Sequence, residues 1–136
     1  PQAKVILVDR HPLDACVAMY KQIFQGIYEF SYDLDDLGVY VSQMKQLMQH
    51  WQESYPDNVF VITYEDLVNN TEHTLRAACR FLNIDFEVEC LRQHTSADVS
   101  TTASAAQVRE KVYSSSIGKW QAYKKHLGVL EKYFPQ

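Results

Sequence analysis

The 136 residues predict an α/β domain, helix-rich by residue count, with few parallel strands (about two here) flanked by several helices. Two short apolar runs carry this reading, Val5-Ile6-Leu7-Val8 and Val59-Phe60-Val61-Ile62-Thr63. Each is too brief for a helix and rich in β-branched residues, which suits strands buried on both faces, as in a parallel sheet. The residues between the two runs show helical rather than alternating periodicity, as a parallel crossover requires.

The first strand ends at Asp9-Arg10, and His11-Pro12 opens an amphipathic segment. Pro12 suits a first helical position, where the amide it lacks would have had no partner. Leu13, Cys16, Val17, Tyr20 and Phe24 then recur at helical spacing until Gly26. Asp33 is a good N-cap for a second helix. Its stripe of Leu34, Leu37, Val41, Met44, Met48, Trp51 and Tyr55 reads as core packing, and Pro56 ends it. Pro56-Asp57-Asn58 is a turn into the second strand, which runs into Tyr64-Glu65-Asp66-Leu67. Asn70 or Thr71 caps a third helix whose buried face is Leu75, Ala78, Cys79 and Leu82, and Asn83 to Phe86 close it. A short helix is expected around Val88–Gln93, followed by a polar Ser/Thr/Ala stretch.

Bulk properties narrow the function. A net charge of -4 argues against broad nucleic-acid binding, and no apolar run approaches bilayer length. The three cysteines (Cys16, Cys79, Cys90) form no C-x-x-C pair, and reduced buried thiols in a cytoplasmic protein are the expectation. The chain begins at Pro1 directly before a strand, as a piece of something longer would.

Two places could hold an anion. Arg10 stands where a strand gives way to a helix, the edge at which open α/β sheets bind ligands. Its forked, permanent charge suits a phosphate, or else pairs with a nearby carboxylate. From Arg109 to Lys125, five Lys/Arg stand against one acid, Glu110, a local charge of +4. There Ser114-Ser115-Ser116 can cap a helix carrying Ile117, Trp120, Tyr123 and Leu127. That helix N-terminus is either an anion site or the start of a solvated basic face.

Three stretches together resemble the sulfotransferases that use 3′-phosphoadenylyl sulfate (PAPS), bacterial tetratricopeptide-associated and tyrosylprotein forms above all. They are Arg10-His11-Pro12-Leu13-Asp14, Tyr64-Glu65-Asp66-Leu67, and Gln107-Val108 followed by Ser116-Ile117-Gly118-Lys119-Trp120. Each is moderately specific, and their order across nearly the whole chain makes the combination strong. The resemblance implies part of a P-loop-like three-layer domain, a nucleotide donor (PAPS, or its product 3′,5′-adenosine bisphosphate) and an acceptor hydroxyl or amine. It implies that Arg10 binds the 3′-phosphate, that Tyr64 lies near the nucleotide, and that Lys119 reaches its phosphate. Residues 104–113 would wrap the nucleotide, with Ser104, Gln107, Arg109 and Tyr113 among them. Ala18 stands where the family usually has a serine, a loss of one hydroxyl worth about 1 kcal/mol. Asp14 and Asp66 read as structural, and His11 as incidental.

The family's phosphate loop, which cradles the 5′-phosphosulfate, has no counterpart here, nor has its catalytic His or Glu. No G-x-x-x-x-G-K occurs, and Gly26, Gly38, Gly118 and Gly128 are too scattered to form a cradle. The expectation is a single partial domain that holds the 3′-phosphate half of the site without the sulfuryl half. The first strand would then present an apolar edge that favours self-association. Two other classes compete: a P-loop-type kinase relative, which would prefer ATP, and a non-catalytic helical interaction module.

Overall fold

A computed structural model describes residues 3–24, 26–92 and 114–135; the expected wrapping segment, with Ser104, Gln107, Arg109 and Tyr113, lies outside them. Strand β1 (Val5–Asp9) pairs in parallel with β2 (Val59–Thr63), Val5 opposite Val59 and Asp9 opposite Thr63. The crossover holds helix α1 (Pro12–Tyr20) and the long α2 (Leu34–Ser54). After β2 come α3 (Tyr64–Asn69) and α4 (Thr71–Leu82), and a 3-10 turn at Val88–Leu91. The C-terminal segment is a string of 3-10 turns, Ser114–Ser116, Lys119–His126 and Gly128–Lys132. This is the α/β, helix-rich architecture read from the sequence. No described helix is long and apolar enough to cross a membrane.

Local signals explain most of the boundaries. Pro12 begins α1, and the Asp33 carboxylate caps α2 by accepting the amides of Asp35 and Asp36. Thr63 caps α3 through Asp66, a short helix that the sequence reading did not distinguish from the end of the strand. Asn83, in the left-handed region at φ 59°, terminates α4.

The main buried cluster lies between α1, α2 and the C-terminal turns, while Ile62 of β2 and Ala78 and Cys79 of α4 are buried outside it. Leu13, Cys16, Val17, Leu37, Val41, Leu127 and Leu130 form one buried cluster, with Trp120 and Tyr133 packed against it. Leu127, Leu130 and Tyr133 recur every third residue, the spacing that aligns side chains on a 3-10 helix.

Four expectations need correction. The first helix stops at Tyr20, short of Phe24, because the Phe24 amide donates to the Tyr32 hydroxyl (3.1 Å) instead of continuing the helical ladder. The first strand is not buried on both faces: Val5 and Val8 are 46% and 54% exposed beside a single described partner strand. The stripe on α2 is core only as far as Val41; Met44, Trp51 and Tyr55 are exposed and Met48 is half-buried. The basic tail is not α-helical, and its buried residues begin at Leu127.

Two features lock the C-terminal turns down. Asp35 accepts from Lys132 (2.5 Å) and from the Tyr133 hydroxyl (2.8 Å), and these partners, Lys132 first, hold its carboxyl below the ordinary range. The Tyr133 ring also packs against Gly38, where any Cβ would overlap its Cδ2 and Cε2. Gly38→Ala should therefore cost about 1–3 kcal/mol in urea unfolding, as overpacking typically does. An unchanged midpoint would show that the ring can step aside.

Burial pushes the Cys16 thiol up to about 11, whereas Cys90 is exposed. Iodoacetamide at pH 8 should thus label Cys90 in the native chain and spare Cys16, as read by mass spectrometry. The native state keeps the Cys16 proton after the unfolded chain has lost it. Stability should accordingly fall as pH climbs from about 9 to about 11, with no contribution from this group below that window.

Candidate functional site

The end of β1 is where distant parts of the chain meet. The Arg10 guanidinium lies over the Tyr64 ring, 4.7 Å from its centroid, and its Nη2 donates to the Ser116 carbonyl at 2.6 Å. Parallel pairing explains the first contact, since the register puts Asp9 opposite Thr63 and the next residue of each strand is Arg10 and Tyr64. The alternative of a carboxylate partner is not what the structure shows: among the described residues Arg10 forms no ion pair. The nearest acid in sequence, Asp9, is taken by Lys45 Nζ (2.6 and 2.9 Å) and by the Arg10 amide (2.8 Å). The Arg10 Nε is buried and has no partner among the described residues.

Next to it, the His11 amide donates to Glu65 Oε1 (3.0 Å), and the imidazole stacks parallel on Trp120 with centroids 5.4 Å apart. Asp14, one turn along α1 and 2% exposed, accepts the amides of Gly118 (2.6 Å) and Trp120 (2.9 Å). Residues 10–14, where β1 gives way to α1, thus hold residues 116–120 by the Arg10 and Asp14 hydrogen bonds and the His11 ring stack. Gly118 adopts φ +71°, a left-handed conformation that turns its amide toward Asp14.

The geometry answers the question left open about the basic tail. The Gly118 and Trp120 amides are both taken by Asp14, so at these two donors the anion is the protein's own. What remains outward is side-chain charge: Lys119 is exposed and makes no hydrogen bond or ion pair among the described residues. Of the residues expected at a phosphate site, Arg10 and Tyr64 are in contact, and Lys119 is three residues from the carbonyl that Arg10 holds. Ala18 is exposed on α1 and supplies no hydroxyl.

The sulfotransferase family model matches residues 1–88, more than half of the chain and the whole span from β1 through α4. The chain belongs to the sulfotransferase family. Its similarity to an uncharacterised protein of Aquifex aeolicus (strain VF5) is 32% identity over 130 residues, 93% of this chain and 17% of that protein. This sulfotransferase chain therefore spans about one-sixth of the length of that relative. Arg10 and Tyr64 fall inside the family match, while Lys119 falls beyond it.

Sequence reasoning missed three contributors to the site: the role of Asp14 across the molecule, the His11–Trp120 stack, and Glu65. The available signal was Gly118 within a run of larger residues, which marks a turn that presents amides. Helical periodicity carries no information about partners 104 and 106 residues apart. Gly118→Ala meets no steric obstacle but should cost about 1 kcal/mol in denaturant unfolding, from placing a Cβ at positive φ. A Gly118→Asn variant should cost less, and equal losses for the two would remove backbone conformation as the cause.

Proposed function

We propose that this chain forms the 3′-phosphate side of the donor site in a PAPS-dependent sulfotransferase, transferring a sulfuryl group to an acceptor hydroxyl or amine. One observation carries the reading. Arg10 directly follows β1 with a buried Nε that has no partner among the described residues, no carboxylate among them to neutralise it, and an aromatic face beneath it. A buried donor without an acceptor is costly in a folded protein, and a bound anion would satisfy it. The residues present fit the 3′-phosphate of such a nucleotide.

In this reading Arg10 binds and orients the phosphate, with the Ser116 carbonyl and the Tyr64 ring fixing the guanidinium plane. Lys119 adds a second positive charge. Residues 104–113, with Ser104, Gln107, Arg109 and Tyr113, are proposed as further nucleotide contacts on resemblance. The donor, when bound, supplies the sulfuryl group and a leaving bisphosphate. The contribution of these residues is then position and charge, the terms that dominate when transfer needs little covalent help from the protein. The phosphosulfate cradle and the general base are proposed to come from elements outside this chain, within one P-loop-like domain.

Thermal unfolding of the full-length polypeptide with 3′,5′-adenosine bisphosphate, with ATP and with neither tests the proposal. Selective stabilisation by the bisphosphate is expected. Arg10→Ala should abolish most of it, weakening binding by roughly 2–5 kcal/mol, as for a lost charge-assisted contact. Equal stabilisation by ATP would favour a kinase relative. No response to either nucleotide would favour a non-catalytic module, for which the exposed Met44, Leu47, Trp51 and Tyr55 of α2 offer a surface.

A further inference from the structure

We propose that Asp14 is a positioning residue of the donor site, which holds Lys119 on the Arg10 side of the molecule through the amides on either flank. The inference rests on the donor reading above and adds a residue that makes no contact with the nucleotide in it. Asp14 is nearly sealed from solvent, and no cation pairs with it among the described residues. Its two oxygens are divided between the Gly118 amide, on Oδ2, and the Trp120 amide, on Oδ1. The residue between those amides is Lys119. One carboxylate therefore fixes the backbone before and after the lysine, while the lysine side chain stays exposed and unpaired among the described residues.

The segment has other anchors. Trp120 packs on the core cluster and on His11, and Leu127 and Leu130 are buried. These apolar contacts hold the segment to the core but do not select the backbone conformation at Gly118, which stands at φ +71° with its amide turned to the carboxylate. Removing the carboxylate should thus leave the segment docked and let the peptide around Lys119 rotate. Asparagine tests this sharply, because it keeps one acceptor and turns an N–H toward the other amide.

The experiment is calorimetry on the full-length polypeptide with adenosine 3′,5′-bisphosphate and with adenosine 5′-monophosphate. The ratio of the two affinities isolates recognition of the 3′-phosphate, which a merely structural role would not move. Asp14→Asn is expected to lower that ratio about tenfold, with monophosphate affinity held within about twofold, because the phosphate contact is charge-assisted and the rest is not. A large wild-type ratio that survives Asp14→Asn would overturn the role of Asp14 and leave the donor reading standing. A wild-type ratio near one would end the donor reading, and this proposal with it. Should Asp14→Asn not fold, amide exchange in the wild-type protein decides. The bisphosphate must then slow exchange at Gly118 and Trp120 more than the monophosphate does, since coupling is reciprocal. Equal protection by the two nucleotides would overturn the proposal.

Discussion

A carboxylate removed from water must be met by donors, or the fold that buries it loses several kcal/mol. At Asp14 the donors are two backbone amides from 104 and 106 residues further along the chain. That requirement links the beginning of the domain to its end more stringently than apolar packing could. Hydrophobic contact is tolerant of sliding, whereas two amides at 2.6 and 2.9 Å admit one register of residues 116–120 on α1. Arg10, four residues before Asp14, meets the Ser116 carbonyl under the same constraint. The junction after β1 and the C-terminal turns are consequently one structural unit, although more than 100 residues separate them.

This arrangement explains why the core is off-centre. A two-stranded parallel sheet has two outer edges and cannot cover its own faces, so Val5 and Val8 remain half-exposed. The apolar weight instead gathers where α1, the first half of α2 and the C-terminal turns converge on Leu37, Val41 and Leu130. The far half of α2 runs past this cluster, which leaves Trp51 and Tyr55 in solvent despite a regular stripe. Periodicity states which residues share a face of a helix, and the length of the neighbouring elements decides how much of that face is covered.

What was legible in the sequence follows the same division. Pro12, Asp33 and the β-branched run Val59–Thr63 act locally, through a missing amide, a capping carboxylate and a stiff side chain, and each marks its element in the structure. Phe24 has helical spacing but lies outside α1, because a hydroxyl eight residues ahead takes its amide. The tail has an amphipathic pattern compatible with either helix type, and the period-three burial of Leu127, Leu130 and Tyr133 emerges only in contact with α1 and α2. At the site, Arg10 and Tyr64 are legible because each directly follows a strand, and parallel strands bring their ends together. Asp14 is visible as an acid in a first helical turn, but its true partners are not encoded by any spacing.

Charge gives the strongest reason to regard the junction as a site rather than a joint. The chain is net acidic at -4, so an arginine placed at random would be expected to find a carboxylate. Three acids of the junctions that follow the strands are each committed elsewhere: Asp9 to Lys45, Asp14 to two amides, and Glu65 to the His11 amide. Among the described residues the guanidinium is left with a neutral carbonyl, an aromatic face and an unsatisfied Nε. Neutral partners orient a cation without cancelling it, and in a partly buried setting the remaining field is weakly screened. An incoming phosphate would therefore meet a positive charge already aimed and not have to displace a competing carboxylate, which is the condition for a donor pocket that discriminates by charge.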